Sequence, residues 1–154
     1  RARSHARQGP APRAGGSGLI GMYLLDTNVV SELRRPRPHG AVVAWLQSVD
    51  DASLFLSAVT RGEIQGGIER TREQDPAKAA EIEAWLERVA SAWNVLAMDA
   101  TAFREWAKLM HRQSDTLYED AMIAATARTQ GLTVVTRNVA DFRALGVDVL
   151  NPFA

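Results

Sequence analysis

The 154 residues amount to one ordinary domain. Of these, 46% are hydrophobic and 23% charged, enough apolar side chain to bury a core and too much for a disordered chain. The absence of cysteine excludes a disulfide scaffold, a thiolate metal site and a cysteine nucleophile, and suits a reducing compartment such as the cytoplasm. The net charge of zero is unevenly spread: residues 1–21 hold four Arg and no acid, leaving 14 basic against 18 acidic residues, about −4, for residues 22–154.

The opening segment, residues 1–21, is rich in Arg, Ala, Pro, Gly and Ser and lacks apolar periodicity, so it reads as a disordered or expression-derived tail, with Met22 as the natural start. No apolar run approaches the roughly 18 residues of a membrane span, and no signal-peptide core follows the basic start. The domain is therefore assigned to residues 22–154.

Strands and helices then alternate. Tyr23-Leu24-Leu25 is a short apolar strand, with Val29 and Val30 continuing past a polar Asp-Thr-Asn. From Gly40 to Val49, Val42, Trp45, Leu46 and Val49 share one helical face. Leu54 to Val59 has the pattern of a buried strand, and Thr60 followed by Glu63 has the spacing of a capping box. Pro76 opens the clearest helix, with Ile82, Trp85, Leu86, Val89 and Trp93 in helical register. Val95-Leu96-Ala97 is strand-like, and Asp99 caps a helix that carries Phe103, Trp106, Ala107 and Met110. A helix from Asp120 to Gln130 presents the small face Ile123, Ala124 and Ala127 and stops at Gly131. Leu132 to Thr136 is a buried strand, and Val147 to Leu150 an edge strand. The alternation predicts an α/β fold: a mainly parallel sheet with helices on both faces.

Four acids stand out against this scaffold. Asp26 directly follows the first strand, Glu63 lies half a turn into the helix after the second, Asp120 begins the small-faced helix, and Asp141 comes five residues after the Leu132–Thr136 strand. Ligands of open parallel sheets bind beyond the carboxyl ends of the strands, so these acids are expected on one edge. Each alone has a structural reading, as an Asx turn, a capping box, an N-cap or a surface turn; the meaning lies in the set. Two like charges about 4 Å apart repel by roughly 4 kcal/mol at an effective dielectric of about 20. Either some of them stay protonated or a cation holds them. Oxygen donors without Cys or a suitably placed His point to magnesium or manganese rather than zinc. His5, His39 and His111 are assigned to no metal; the four Trp read as core or dimer packing; Asp115 and Glu119 read as a solvated loop.

Four segments, Leu-Leu-Asp-Thr-Asn-Val-Val-Ser-Glu-Leu (24–33), Leu-Ser-Ala-Val-Thr-Arg-Gly-Glu-Ile (56–64), Glu-Asp-Ala-Met-Ile-Ala-Ala-Thr-Ala (119–127) and Thr-Arg-Asn-Val-Ala-Asp-Phe (136–142), resemble the signature segments of PIN-domain proteins, nearest to toxins of the VapC/FitB type. The Asn-Pro-Phe ending resembles the FitB-like members. The resemblance implies an α/β/α sandwich and a magnesium- or manganese-dependent endoribonuclease. It also implies inhibition by a VapB-like antitoxin, homodimerisation, and DNA contact only through that antitoxin. Position by position, Asp26, Glu63, Asp120 and Asp141 match the acidic, metal-holding quartet, and some relatives carry the last acid where Asn138 stands. Thr27, Asn28, Thr136 and Asn138 match supporting or substrate-contacting positions. Arg61 and Gly62 depart from the apolar residue and Ala common before the Glu, and Gln130 replaces a common His. Arg34, Arg35, Arg61 and Arg137 are the candidates for bridging RNA phosphates across the acidic domain.

The alternative is a binding subunit of a toxin–antitoxin repressor with little catalysis. A phosphoryl-transfer enzyme of the haloacid-dehalogenase or receiver type fits less well. The former expects a second acid where Asn28 stands, and the latter an acidic pair before the first strand.

Overall fold

Among the described residues, five short strands carry the fold: β1 (Tyr23–Leu25), β2 (Leu54–Ser57), β3 (Asn94–Leu96), β4 (Thr133–Val135) and β5 (Val149–Leu150). All pair in parallel, in the order β3-β2-β1-β4-β5. The computed structural model describes residues 21–154, so the expected tail lies, apart from Gly21, outside the described residues. Among the described residues, seven α-helices connect and cover the strands: α1 (Thr27–Glu32), α2 (Gly40–Gln47), α3 (Ala58–Gln74), α4 (Pro76–Ala92), α5 (Ala100–Met110), α6 (Tyr118–Gln130) and α7 (Val139–Ala144).

The register explains the layers. Leu24 is level with Phe55 and Val134, and Leu25 with Leu56 and Val135. Successive side chains of a strand point to opposite faces. Leu24, Phe55 and Val134 therefore join Ile123, Ala124 and Ala127 of α6 and Phe142 of α7 in one core. Leu25, Leu56 and Val135 join Val29 and Val30 of α1 and Val42 of α2 in the other, with Trp45, Trp85 and Trp93 packed against it. A smaller cluster of Ile68, Ala79 and Leu86 locks α3 against α4. The expected parallel α/β/α architecture is borne out.

Several local expectations need correction. Val29 and Val30 do not extend a strand: Asp26 accepts a hydrogen bond from Thr27 N–H and starts α1. The second strand stops at Ser57, whose hydroxyl accepts from Val59 N–H and caps α3. Thr60 is consequently a buried residue inside that helix, and no Thr60–Glu63 capping box forms. The first turn of α3 is closed by the earlier serine, because the chain turns out of the sheet two residues sooner than apolarity alone suggests. Asp120 is the third residue of α6 rather than its cap. Trp93 ends α4 as its C-cap. The strand expected at Leu132–Thr136 is trimmed to Thr133–Val135, and the edge strand to Val149–Leu150.

The other caps follow their chemistry. Asp75 accepts from Lys78 N–H ahead of Pro76 at the start of α4, and Asp99 accepts from Ala102 N–H at the start of α5. Gly131 ends α6 at φ 68°, the left-handed region where a Cβ is penalised. Gly131→Ala is expected to lower stability by about 1 kcal/mol, measured by urea denaturation. An unchanged midpoint would show that the α6 terminus tolerates a side chain in that conformation.

Candidate active site

The order β3-β2-β1-β4-β5 reverses direction between β1 and β4, and the chain leaves these neighbours toward opposite helical layers. The crevice beyond their carboxyl ends is where such sheets bind ligands. Asp26 and Thr136 are the first residues past β1 and β4, and both are buried. The Asp26 N–H donates to Val135 O at 2.9 Å, which holds the two strand ends in step.

The Asp26 carboxylate uses both oxygens: Oδ1 accepts from Thr27 N–H at 2.8 Å, and Oδ2 from the Thr136 hydroxyl at 2.8 Å. Thr136 Oγ1 itself accepts from Asn138 N–H at 2.9 Å and from Asn28 Nδ2 at 3.3 Å. A hydroxyl has one proton and two lone pairs, so those two donors commit its proton to Asp26. The Asn28 carbonyl oxygen accepts from Arg137 N–H at 3.3 Å, closing the link between the β1 and β4 loops.

Glu63 reaches the same crevice from α3. The Thr27 hydroxyl lies 3.1 Å from Glu63 Oε1 and 3.1 Å from the Thr60 hydroxyl. On the opposite side, Asn138 Nδ2 donates to Asp141 Oδ2 at 2.8 Å and to Asp120 Oδ2 at 3.3 Å. One amide thus supplies one proton to each of two carboxylates. The structure accordingly brings Asp26, Glu63, Asp120 and Asp141 to one edge, with Thr27, Asn28, Thr136 and Asn138 as the hydrogen-bonding frame between them.

This crowding shows in the proton affinities. Burial pushes the Asp26 carboxyl up, against the opposing hydrogen bonds of Thr136 and Thr27. Glu63 is pushed up by loss of hydration at its carboxylate, opposed by the Thr27 hydrogen bond and reinforced by Asp26, Glu119 and Asp120. Asp120 is pushed up to about 6, by burial first and then by repulsion from Asp26, Asp141 and Glu119. Glu119, expected as a merely solvated residue, is exposed but adds its charge to the field on two of the four acids.

Comparisons with known proteins identify the family of the fold. A family model described as the PIN domain matches residues 23–147. The chain belongs to the PIN-domain family. Within it, the chain is 36% identical over 144 residues to VapC ribonuclease Y4jK from Sinorhizobium fredii, covering 86% of this chain and 98% of that one. It is 36% identical over 146 residues to Toxin FitB from Neisseria gonorrhoeae, covering 86% and 99%. The solved structure of FitAB bound to an IR36 DNA fragment aligns with a TM-score of 0.75 at 33% identity, covering 86% of this chain and 96% of that chain.

The PIN-domain resemblance carried by the four sequence segments is thereby borne out, and the structure adds what the segments leave out. Thr60 touches Thr27 from inside α3. Arg70 flanks Glu63 in two adjoining hollows. It stands seven residues after Glu63, two helical turns along the same face, and that spacing was the available signal. Of the arginines considered for phosphate, Arg61 is held by Glu87 of α4 at 2.7 Å, and Arg137 lies over the Phe153 ring at 3.7 Å. Arg34 lines a hollow that also contains Thr27 and Glu63.

Among the described residues, no group of three His, Cys, Asp or Glu already stands close enough to hold a metal ion. Thr136 and Thr27 hydrogen-bond Asp26 and Glu63, and Asn138 holds Asp120 and Asp141. The donor set nonetheless fits a hard divalent cation, being all oxygen and poor in countercharge.

Thr136→Val keeps the shape of the side chain but leaves the Asn138 N–H, the Asn28 amide and one Asp26 oxygen without the hydroxyl as partner. Unpaired buried groups cost about 1–3 kcal/mol, and chemical denaturation is expected to show a loss in that range. Stability equal to the parent would mean that water replaces the hydroxyl in this network.

Proposed function

We propose that this PIN domain is a magnesium- or manganese-dependent endoribonuclease toxin of a type II toxin–antitoxin pair, inhibited by a VapB-like antitoxin. The observation that carries the reading is the convergence of Asp26, Glu63, Asp120 and Asp141 at the β1/β4 switch point. Burial raises the proton affinities of Asp26, Glu63 and Asp120, and neighbouring carboxylates add to the rise at Glu63 and Asp120, as in an uncompensated cation site. The sequence relationship to proteins named as VapC ribonuclease and Toxin FitB supports the substrate class and the toxin role. Among the described residues no helix is long and apolar enough to cross a membrane. The cytoplasm, where RNA is made and cysteine is unnecessary, is the proposed site of action. Pairing with an antitoxin that contacts operator DNA, and homodimerisation, belong to the same reading, which is supported by the likeness to the DNA-bound FitAB structure.

The metal ligands we assign are Asp26, Asp120 and Glu63, with Asp141 completing the set. A divalent ion bound there supplies Lewis-acid stabilisation of the phosphodiester as negative charge develops. The chain's own residues do the rest. Asp26 is fixed in orientation by Thr136 and Thr27, so its carboxylate does not swing away from the crevice. Asn138 holds Asp120 and Asp141 side by side through its two amide protons. Asn28 and Thr27, at the N-terminus of α1, edge the crevice where a phosphate oxygen can accept hydrogen bonds. The raised proton affinity of Asp120 suits a carboxylate that exchanges its proton for a cation near neutral pH.

Titration with manganese followed by calorimetry tests the metal assignment. Saturable binding by the parent and at least about tenfold weaker binding by Asp120→Asn are expected. Equal binding by both would remove Asp120 from the site. Chelation with EDTA is expected to stop RNA cleavage, and added manganese to restore it. Cleavage that continues undiminished in EDTA would contradict metal dependence.

A further inference from the structure

The domain is acidic overall, yet its hollows beside the acids are lined with cations. A cavity of about 410 Å³ lies between the chain that follows α1 and the outer side of α4, lined by Arg34, Arg35, Lys78, Trp85 and Arg88. A second hollow of about 380 Å³ is lined by Thr27, Ser31, Arg34, Glu63 and Arg70. Arg34 and Ile82 line both, so the two are adjoining parts of one groove that starts at Glu63 and runs outward along α4. Five of the 14 basic residues of the domain lie along it, all five exposed. Among its lining residues, only Glu63 at the inner end and Glu81 at the outer end oppose them.

Their countercharges are few. Arg35 pairs with Glu32 at 3.4 Å, and Lys78 approaches Glu81 at 3.8 Å. Among the described residues, Arg34, Arg70 and Arg88 have no ion-pair partner, nor do Arg37, Arg104, Arg112, Arg137 and Arg143 away from the groove, whereas Arg61 and Arg128 each have one and Arg72 has two. Trp85 is half-buried: it packs against the core beneath α4 and also lines the outer cavity.

We propose that this groove seats the single-stranded RNA that leads away from the scissile phosphate, with phosphates on Arg34 and Arg88 and a base stacked on Trp85. The inference rests on the ribonuclease reading and assigns the substrate's path beyond the acids. A polynucleotide cut at the acids must leave the crevice on some side. Among the described residues, this side joins a run of unpaired guanidinium groups to an aromatic face, the combination that binds single strands without reading sequence. The field of the groove also offsets the repulsion between an acidic domain and a polyanion.

The probe is a short fluorescein-labelled oligouridylate, added to protein silenced by Asp26→Asn and followed by fluorescence anisotropy over a salt series. Arg34→Gln/Arg88→Gln is expected to weaken binding about tenfold. It should also lower the salt slope by about 1.4, at about 0.7 for each phosphate that is no longer neutralised. Arg104→Gln/Arg143→Gln, at exposed positions on α5 and α7, serves as the comparison and is expected to bind as the parent does. RNA is expected to quench the tryptophan emission of the parent, and Trp85→Phe to remove most of that quenching. If the parent binds RNA while the groove variant keeps its affinity and slope, the proposal is overturned and the RNA lies elsewhere. A variant impaired only in antitoxin binding overturns it as well and gives the groove to a protein partner. A parent with no affinity for RNA defeats the ribonuclease reading itself, and the groove assignment with it.

Discussion

Asp26→Asn is expected to fold as the parent does and to cleave RNA about a hundred- to a thousandfold more slowly. The size of the loss follows from the several kcal/mol of charge stabilisation that a held cation supplies, each 1.36 kcal/mol being a factor of ten in rate. The substitution is isosteric, but its hydrogen bonding is not. The two Asp26 oxygens receive protons from Thr27 N–H and Thr136 Oγ1–H, and an amide offers only one acceptor for the two. Whichever way Asn is turned, its NH₂ meets a donor. The mismatch costs stability while removal of a buried charge restores some, so a small net change in melting temperature is expected. Single-turnover cleavage and thermal denaturation of the same preparation separate the two effects. A folded Asp26→Asn protein with parental cleavage would remove Asp26 from the chemistry.

Asp120→Asn is expected to do two opposite things: abolish cleavage and stabilise the metal-free fold. Asp120 has a folded-state proton affinity raised from the ordinary 3.8 to about 6. The folded chain therefore binds more protons than the unfolded chain between those values. By linkage, the contribution of Asp120 to stability is fully present below about 3.8 and is lost as the pH rises through about 6. Above that pH the parent carries the whole strain of a crowded, partly dehydrated carboxylate. The Asn variant should then melt a few degrees higher than the parent at pH 7.5 in EDTA, with the gap closing as the pH falls toward 4. Solvent screening at this half-buried position keeps the effect to a few degrees. A gap that is constant with pH, or that opens on acidification, would contradict the electrostatic account of the site. Saturating magnesium should narrow the gap at pH 7.5 by stabilising only the parent.

Most of the fold was legible in the sequence because its signals are local. The apolar pairs of β1 and β4, the Asp99 and Pro76 helix starts and the Gly131 stop depend on neighbours within a few residues, and all stand where expected. The errors arose where local signals compete. Thr60 and Glu63 have capping-box spacing, but Ser57 captures the first turn three residues earlier, and Thr60 is turned inward to Thr27. Val29 and Val30 are apolar enough for a strand, but the Asp26 cap commits them to a helix whose buried face they form.

For the site, the sequence placed each acid after a strand or near a helix start and so predicted a shared edge. It could not show the Asn138 amide dividing itself between Asp120 and Asp141. Nor could it show Thr136 holding Asp26 across 110 positions of chain. Such links depend on which strands become neighbours, and the pairing of β1 with β4 is set by the whole topology. The arginines show the same limit: Arg61 and Arg34 are both charged residues near an acid, and only packing reveals that Glu87 holds the first while the second stays open to the groove.

The most direct measurement is the cleavage of total bacterial RNA by the parent and by Asp26→Asn, each with magnesium, manganese or EDTA. Discrete fragments from the parent with either metal, and none from the variant or in EDTA, are the expected result. Intact RNA in every lane, from parent protein shown to be folded and to bind manganese, would contradict the ribonuclease assignment and favour the role of a repressor subunit.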